Sequence, residues 1–207
     1  MESIVIEPQY IGTCSFWKLI TSNDVVFDVY EHYQKRSYRN RAEIVGANGK
    51  LRLSIPLMHG KNQHAAIKDV RISYNERWQE LHWQSLVSCY SRSPYFEYYE
   101  DKIKPFYTQQ YEFLADYNIA FIEAIAKLLK TEIQYSLSKE YQNKEHFKDN
   151  DWRNLLLPKN AINADFPAYP QVFNDRFAFV PDLCVLDVLF NCGNRSLSYI
   201  NELTLTY

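Results

Sequence analysis

The chain has 207 residues, 46% of them hydrophobic and 16% aromatic, with 17 tyrosines and a net charge of −2. That is enough apolar surface for one sizeable core. The near-neutral charge excludes the broad basic field that drives non-specific nucleic-acid binding. Four cysteines, at 14, 89, 184 and 192, lack any CxxC spacing. They read as reduced, buried thiols rather than as a metal site or a disulfide framework, and no metal or cofactor is expected. The opening MESIVIEPQY has neither the basic nor the apolar region of a signal peptide. The most apolar helical stretch, Ile119 to Leu129, is interrupted by Glu123 and Lys127. A cytoplasmic protein without a membrane span is therefore expected.

In chain order, residues 3 to 6 form a short β-branched run with the character of a buried strand, and Pro8 and Gly12 mark a loop after it. Phe16 to Ser22 reads as a short helix and Val25 to Val29 as a second strand, which is βαβ spacing and predicts a parallel pair. Alternation at Ala42 and Ile44, and again at Leu51, Leu53 and Ile55, flanks Asn48-Gly49 and predicts a β-hairpin over 39 to 57. A polar loop from His59 to Ala65 precedes an expected strand at Ile67 to Ile72. Trp78, Leu81, Leu86, Cys89 and Tyr90 have helical spacing within 76 to 91, and Pro94 ends that helix. Two further helices are predicted over 105 to 115 and 118 to 129, broken at Asp116-Tyr117-Asn118, then a strand near Glu132 to Ser136. Residues 138 to 165 read as a polar connection. Pro181-Asp182 before Leu183, Leu186, Leu189 and Phe190, with Gly193 beyond, marks a final helix. The expected fold class is α/β: a single domain over 1–207, with a mixed sheet, a βαβ start and a β-hairpin, flanked by helices.

Common catalytic signatures are missing: no GxGxxG, Walker GxxxxGK[ST], GxSxG or HExxH occurs, and five glycines cannot build a phosphate cradle. The conspicuous segment is Lys35 to Arg41, with four cations in seven residues and tyrosines at 33 and 38. If it is extended, Arg39 and Arg41 share one face and Tyr38 and Asn40 the other. Two arginines on one face can hold a phosphate or carboxylate; equally, such charges can protect a solvated strand edge. Asp24, Asp28 and Glu31 flank the second strand. Asp28, near its carboxyl end, can serve as a general base or simply pair with Lys35 or Arg36. His82 lies mid-helix between Leu81 and Trp83, where a hydrogen-bonded structural histidine is the alternative to a catalytic one. His59 and His64 have no metal-ligand spacing. Asp187, a carboxylate on an apolar helix, needs a partner, either a backbone terminus or an arginine of the basic segment.

Several blocks, taken in order, resemble the WbqC-like protein family. They are Tyr10 with Phe16-Trp17-Lys18-Leu19, the run Tyr33 to Arg41, Ala47-Asn48-Gly49, Leu53-Ser54-Ile55-Pro56, Trp78 with His82-Trp83, and Ser93 to Tyr99. The tail Pro170 to Phe173, Phe179 to Leu183 and Asp187 to Asn191 completes the set. The resemblance covers nearly the whole chain, and its most specific blocks are Tyr38-Arg39-Asn40-Arg41 and Ser93-Pro94-Tyr95-Phe96-Glu97-Tyr98-Tyr99. Two departures stand out: Ile6-Glu7-Pro8 replaces the family's His-Gln-Pro, and the region 138 to 165 is short.

The resemblance implies a transferase of an aminoacyl (glycine) or related group in O-antigen or surface-polysaccharide synthesis. In that reading Asp28 or His82 acts as base. Tyr10, Glu31, Tyr33, Lys35, Tyr38, Arg39, Asn40, Arg41 and Asp187 form the substrate-binding set, and the partner is a small molecule or glycan precursor. The alternative is a non-catalytic binding or assembly protein of the same pathway that docks through the aromatic surface Tyr95 to Tyr99.

Overall fold

The computed structural model describes residues 3–58, 64–160 and 163–206; the histidine at 59 and most of its loop lie outside them. The chain starts as the βαβ spacing predicts. Strand β1 (Ile4–Ile6), helix α1 (Cys14–Ser22) and strand β2 (Val25–Phe27) place β1 and β2 in parallel, with Ile4 opposite Val25 and Ile6 opposite Phe27. Strand β5 (Tyr135–Leu137) adds to the far side of β2, also parallel, giving the order β1-β2-β5. All three strands thus end at the same edge, and Glu7, Asp28 and Ser138 are the first residues past their carboxyl ends.

The turn into α1 is built by Gly12 and Thr13. Gly12 has φ +80°, and a Cβ there would lie 2.4 Å from the Phe16 ring. Thr13 caps the helix by accepting from the Phe16 N–H, and the Asp182 carboxylate accepts from the Ser15 N–H at 2.8 Å.

The hairpin is β3 (Arg41–Gly46) against β4 (Gly49–Ser54), with Ala42, Ile44 and Leu53 turned into the core. Gly46 pairs with Gly49, so Ala47-Asn48 forms the turn, and the positive φ falls on Gly49 (+101°) rather than on Asn48. This hairpin is a sheet of its own, as is the terminal pair β6 (Asn163–Asp165) and β7 (Thr204–Thr206).

Helices α2 (Trp78–Tyr90), α3 (Phe96–Ile103), α4 (Leu114–Leu129), α6 (Val185–Cys192) and α7 (Ser196–Glu202) pack around these sheets, with a short helix α5 (Lys144–Phe147) in the 138–165 connection. Two expectations are corrected. First, α4 runs unbroken through Asp116-Tyr117-Asn118. Tyr117 and Asn118 are fully buried, and the Asn118 amide donates to the Pro8 and Arg39 carbonyls at 3.1 and 2.7 Å, so tertiary contacts override a weak local propensity. Residues 104–107 are instead a 3-10 turn after α3. Second, Ile67–Asp69 is a 3-10 turn, not a strand. Ile67 is buried against Val29 and Ala115, while Arg71 and Ile72 make only isolated bridges to Phe113 and Leu57. No helix among the described residues is long and apolar enough to cross a membrane.

Candidate functional site

The carboxyl edge of the parallel sheet carries the polar machinery. Asp28 is buried, and both its oxygens are engaged. Oδ1 accepts from the Tyr30 and Glu31 backbone N–H groups at 2.9 and 3.1 Å and from the Ser138 hydroxyl at 2.9 Å; Oδ2 accepts from Arg153 at 2.6 Å. Arg153, only 2% exposed, also binds Asp151 at 2.6 Å and the Gln142 carbonyl at 2.9 Å. These bonds, that to Asp151 foremost, hold the guanidinium pKa above its ordinary value. Asp28 therefore pairs with neither Lys35 nor Arg36. It ties the loop after β2 to the 138–165 connection.

A second network lies beside it. Arg39 is fully buried, donates to Glu31 and lies 3.6 Å from Glu7, which is also fully buried. Asn154, in the left-handed region at φ 61°, donates its backbone N–H to Glu7 at 3.0 Å and its side-chain amide to Glu31. Burial, ahead of the opposing pull of Arg39, raises the Glu7 pKa. Seven buried atoms in this region have no hydrogen-bond partner among the described residues: Glu7 Oε1, Gln9 Oε1 and Nε2, Arg39 Nε and Nη1, Asn118 Oδ1 and Asn154 Oδ1. Each such atom costs about 1–3 kcal/mol if left unsatisfied. Structural side chains are rarely left this way. The expected sharing of one strand face by Arg39 and Arg41 does not occur. Strand β3 begins only at Arg41, and Arg39, before it, turns inward.

His82 sits on α2 with both ring nitrogens used. Nε2 accepts from the Ser54 N–H at 3.1 Å, so the remaining proton lies on Nδ1 and is donated to the Tyr10 hydroxyl at 3.0 Å; Tyr10 is in turn 3.0 Å from the Tyr107 hydroxyl. Burial pushes the His82 pKa down to about 4. The neutral imidazole thus locks the hairpin end to α2 and to the loop after β1.

At the hairpin exit lies an open groove of about 880 Å3, lined by Tyr33, Lys35, Arg36, Asn40, Arg41, residues 54–57, and Glu76. Asn40 organises its wall: Oδ1 accepts from the Tyr33 hydroxyl at 2.9 Å and Nδ2 donates to the Ile55 carbonyl at 2.8 Å. Arg36 is held at φ 58°, an unusual conformation for a branched-chain-free but bulky side chain, at the turn of the basic loop. The Arg41 pKa is lowered, by partial burial first and then by neighbouring Arg52 and Arg36. Among the described residues no carboxylate lies within the 4.0 Å ion-pair distance of Arg41. The groove lining thus carries three cations, Lys35, Arg36 and Arg41, against the carboxylate of Glu76, with Glu43 acting on Arg41 from beyond ion-pair distance.

Tyr33, Lys35, Arg36, Asn40 and Arg41 come together on this groove; Asp28, His82, Tyr10, Glu31 and Arg39 do not line it, though His82 reaches its wall through the Ser54 N–H. Tyr38 is buried and borders a different, smaller hollow with Glu43, Lys50 and Asp182. Asp187 accepts from Tyr169, Asn191, Gln171 and Tyr90, at 3.2 to 3.4 Å, and meets no residue of the basic segment. Burial raises its pKa to about 7.

A family model described as the WbqC-like protein family matches residues 7–156. The chain belongs to this family. The matched span holds every residue of the WbqC-like groove and both buried networks, and it ends before the tail from 170 onward. Comparison with curated proteins and with solved structures found no significant match.

Sequence reasoning missed Glu76 on the groove wall and Gln9, Asn118, Asp151, Arg153 and Asn154 among the buried polar groups. The signal nearest to hand was Asp151-Trp152-Arg153-Asn154, two charges and an amide around a tryptophan in a stretch otherwise read as a connection.

Proposed function

We propose that the groove of this WbqC-like protein binds an anionic small molecule, a phosphate- or carboxylate-bearing donor, for transfer of an aminoacyl or related group in surface-polysaccharide synthesis. The observation that carries this reading is Arg41, with Arg36 and Lys35, on one wall of a roomy groove and without a carboxylate counterion of its own. Arginine forks hold phosphate and carboxylate oxygens with paired, charge-assisted hydrogen bonds.

In this reading Glu76 is the carboxylate on the groove wall that takes the proton of the acceptor hydroxyl. The acceptor oxygen bonds to the acyl carbon, and the leaving group departs with the bonding electron pair, its negative charge held by Arg41 and Arg36. Asp28 and His82, engaged on all their polar atoms, act as positioning groups, His82 through Ser54 of the groove wall. A thermal-shift screen with nucleotide sugars, acyl nucleotides and simple sugars tests the proposal. Diphosphate-bearing compounds should raise the melting temperature by mass action, and neutral sugars alone should not. A screen in which no anion shifts the transition would overturn it. Glu76→Gln should keep binding and lose turnover.

One observation favours a binding or assembly role: Tyr98, 74% exposed, stands in a hollow with Tyr95, Tyr99, Lys127 and Lys130. A stable partner complex lost on Tyr98→Ala, with no turnover of any glycan precursor, would support that reading over transfer.

A further inference from the structure

At the carboxyl ends of β1 and β2, the Glu7–Glu31–Arg39–Asn154 network has an unusual balance. Two carboxylates face one guanidinium: Arg39 donates to Glu31 and sits 3.6 Å from Glu7. If both acids are ionised, one negative charge has no counterion. The orientations of two amides are fixed by their partners. Asn154 Nδ2 donates to a carboxylate and Asn118 Nδ2 to two carbonyls, so in each case the oxygen is the atom left over. Asn154 Oδ1, Asn118 Oδ1 and Glu7 Oε1 are therefore all acceptors, buried and without a partner among the described residues. The same region offers donors, Arg39 Nε and Nη1, on a side chain that is itself fully buried. The members nearest solvent are Glu31, whose side chain is 14% exposed, and Asn154, which is only half-buried.

We infer that this cluster is a binding site for the ammonium group of a small primary amine, with Glu7, Asn118 and Asn154 accepting from the ammonium and Arg39 donating to an oxygen of the same molecule. The three N–H donors of an ammonium would find acceptors in Glu7, Asn118 and Asn154, Gln9 Oε1 being a further unpartnered acceptor of the region, and its charge balances the second carboxylate. Buried amides and carboxylates tied into one network, as Glu7, Glu31, Arg39, Asn118 and Asn154 are, belong to the kind of placed polar groups by which small-molecule sites fix orientation. Burial opposes the ionised form of Glu7 and raises its pKa, and a bound ammonium would act the other way by favouring the carboxylate. An oxygen beside the ammonium is common to α-amino acids and to 2-amino sugars, and that shared chemistry is what the site reads. The inference stands whether or not the groove binds an anion.

Isothermal titration calorimetry on the full chain tests it with ethylamine, alanine and glucosamine, and with N-acetylalanine and N-acetylglucosamine, in sodium and in potassium buffers. An amine bearing an oxygen should bind, and its N-acetylated counterpart, which has lost the charge, should bind at least ten-fold more weakly. Alanine against glucosamine separates the two sources. Glu7→Gln keeps an acceptor for the Asn154 N–H but removes the charge. It should weaken amine binding at least ten-fold while leaving the melting temperature and any anion response of the groove unchanged. Three results would overturn the inference: no binding of any amine, equal binding of amine and N-acetyl forms, or equal competition by potassium, which marks an inorganic cation site. Should Glu7→Gln fail to fold, the selectivity of the wild-type chain between amine and N-acetyl form decides alone.

Discussion

Replacing Arg153 by alanine should be the most damaging single change in the buried networks. Arg153 holds Asp28 and Asp151 at 2.6 Å each, with all three side chains at 2–3% exposure. Removing the guanidinium leaves two buried carboxylates without a counterion. Breaking one buried ion pair by deleting a partner costs about 3–5 kcal/mol. For a chain of this size each kcal/mol lowers the melting temperature by about 2–4 °C, so the loss should be about 6–20 °C. Urea unfolding of both proteins at pH 8 should show the gap directly. A variant within about 1 kcal/mol of wild type at pH 8, well under the cost of a broken buried pair, would refute the claim that these pairs anchor the loop after β2.

His82 ionises in the fold only near pH 4, against 6.5 in the unfolded chain, so its contribution is complete above pH 6.5 and is lost as pH falls from 6.5 to 4. That loss amounts to about 3 kcal/mol; denaturation midpoints from pH 7 to 4.5 should show it, and His82→Gln should flatten the profile. Asp187 has the opposite sign: its folded pKa of about 7 lies above the ordinary 3.8, so its contribution is complete at low pH and is lost as pH rises through 7. Asp187→Asn should therefore be stabilised relative to wild type at pH 8.5 compared with pH 6, as read by melting temperature. Gly12→Ala should cost at least about 2 kcal/mol, from the left-handed φ and the overlap of the new Cβ with Phe16, and would show as a lower urea midpoint.

The local elements were legible where periodicity and turn chemistry agree. The βαβ start and the Asn-Gly hairpin follow from short apolar runs punctuated by glycine, and Gly193 does stop the last long apolar helix at φ 58°. What was not legible depends on contacts far apart in sequence. Asn118 looks like a helix breaker until the carbonyls of Pro8 and Arg39 satisfy its amide. Arg39 and Arg41 look alike in a charge run, yet one is buried against Glu7 and Glu31 and the other lines an open groove. The burial of Arg39 requires carboxylates from two strand ends, and Arg153 requires Asp28, 125 positions earlier. No local pattern announces either pairing.

The central claim is that Arg41 and its neighbours hold an anion. Isothermal titration calorimetry of wild type and Arg41→Ala with a diphosphate nucleotide sugar, at two salt concentrations, tests it most directly. Losing one charge-assisted contact of about 1.5–3 kcal/mol should weaken binding about 10- to 100-fold. Since Arg41 has no ion pair among the described residues, the melting temperature should stay unchanged, and wild-type affinity should fall as salt rises. Equal affinity in the two proteins, or no binding by wild type, would contradict the account.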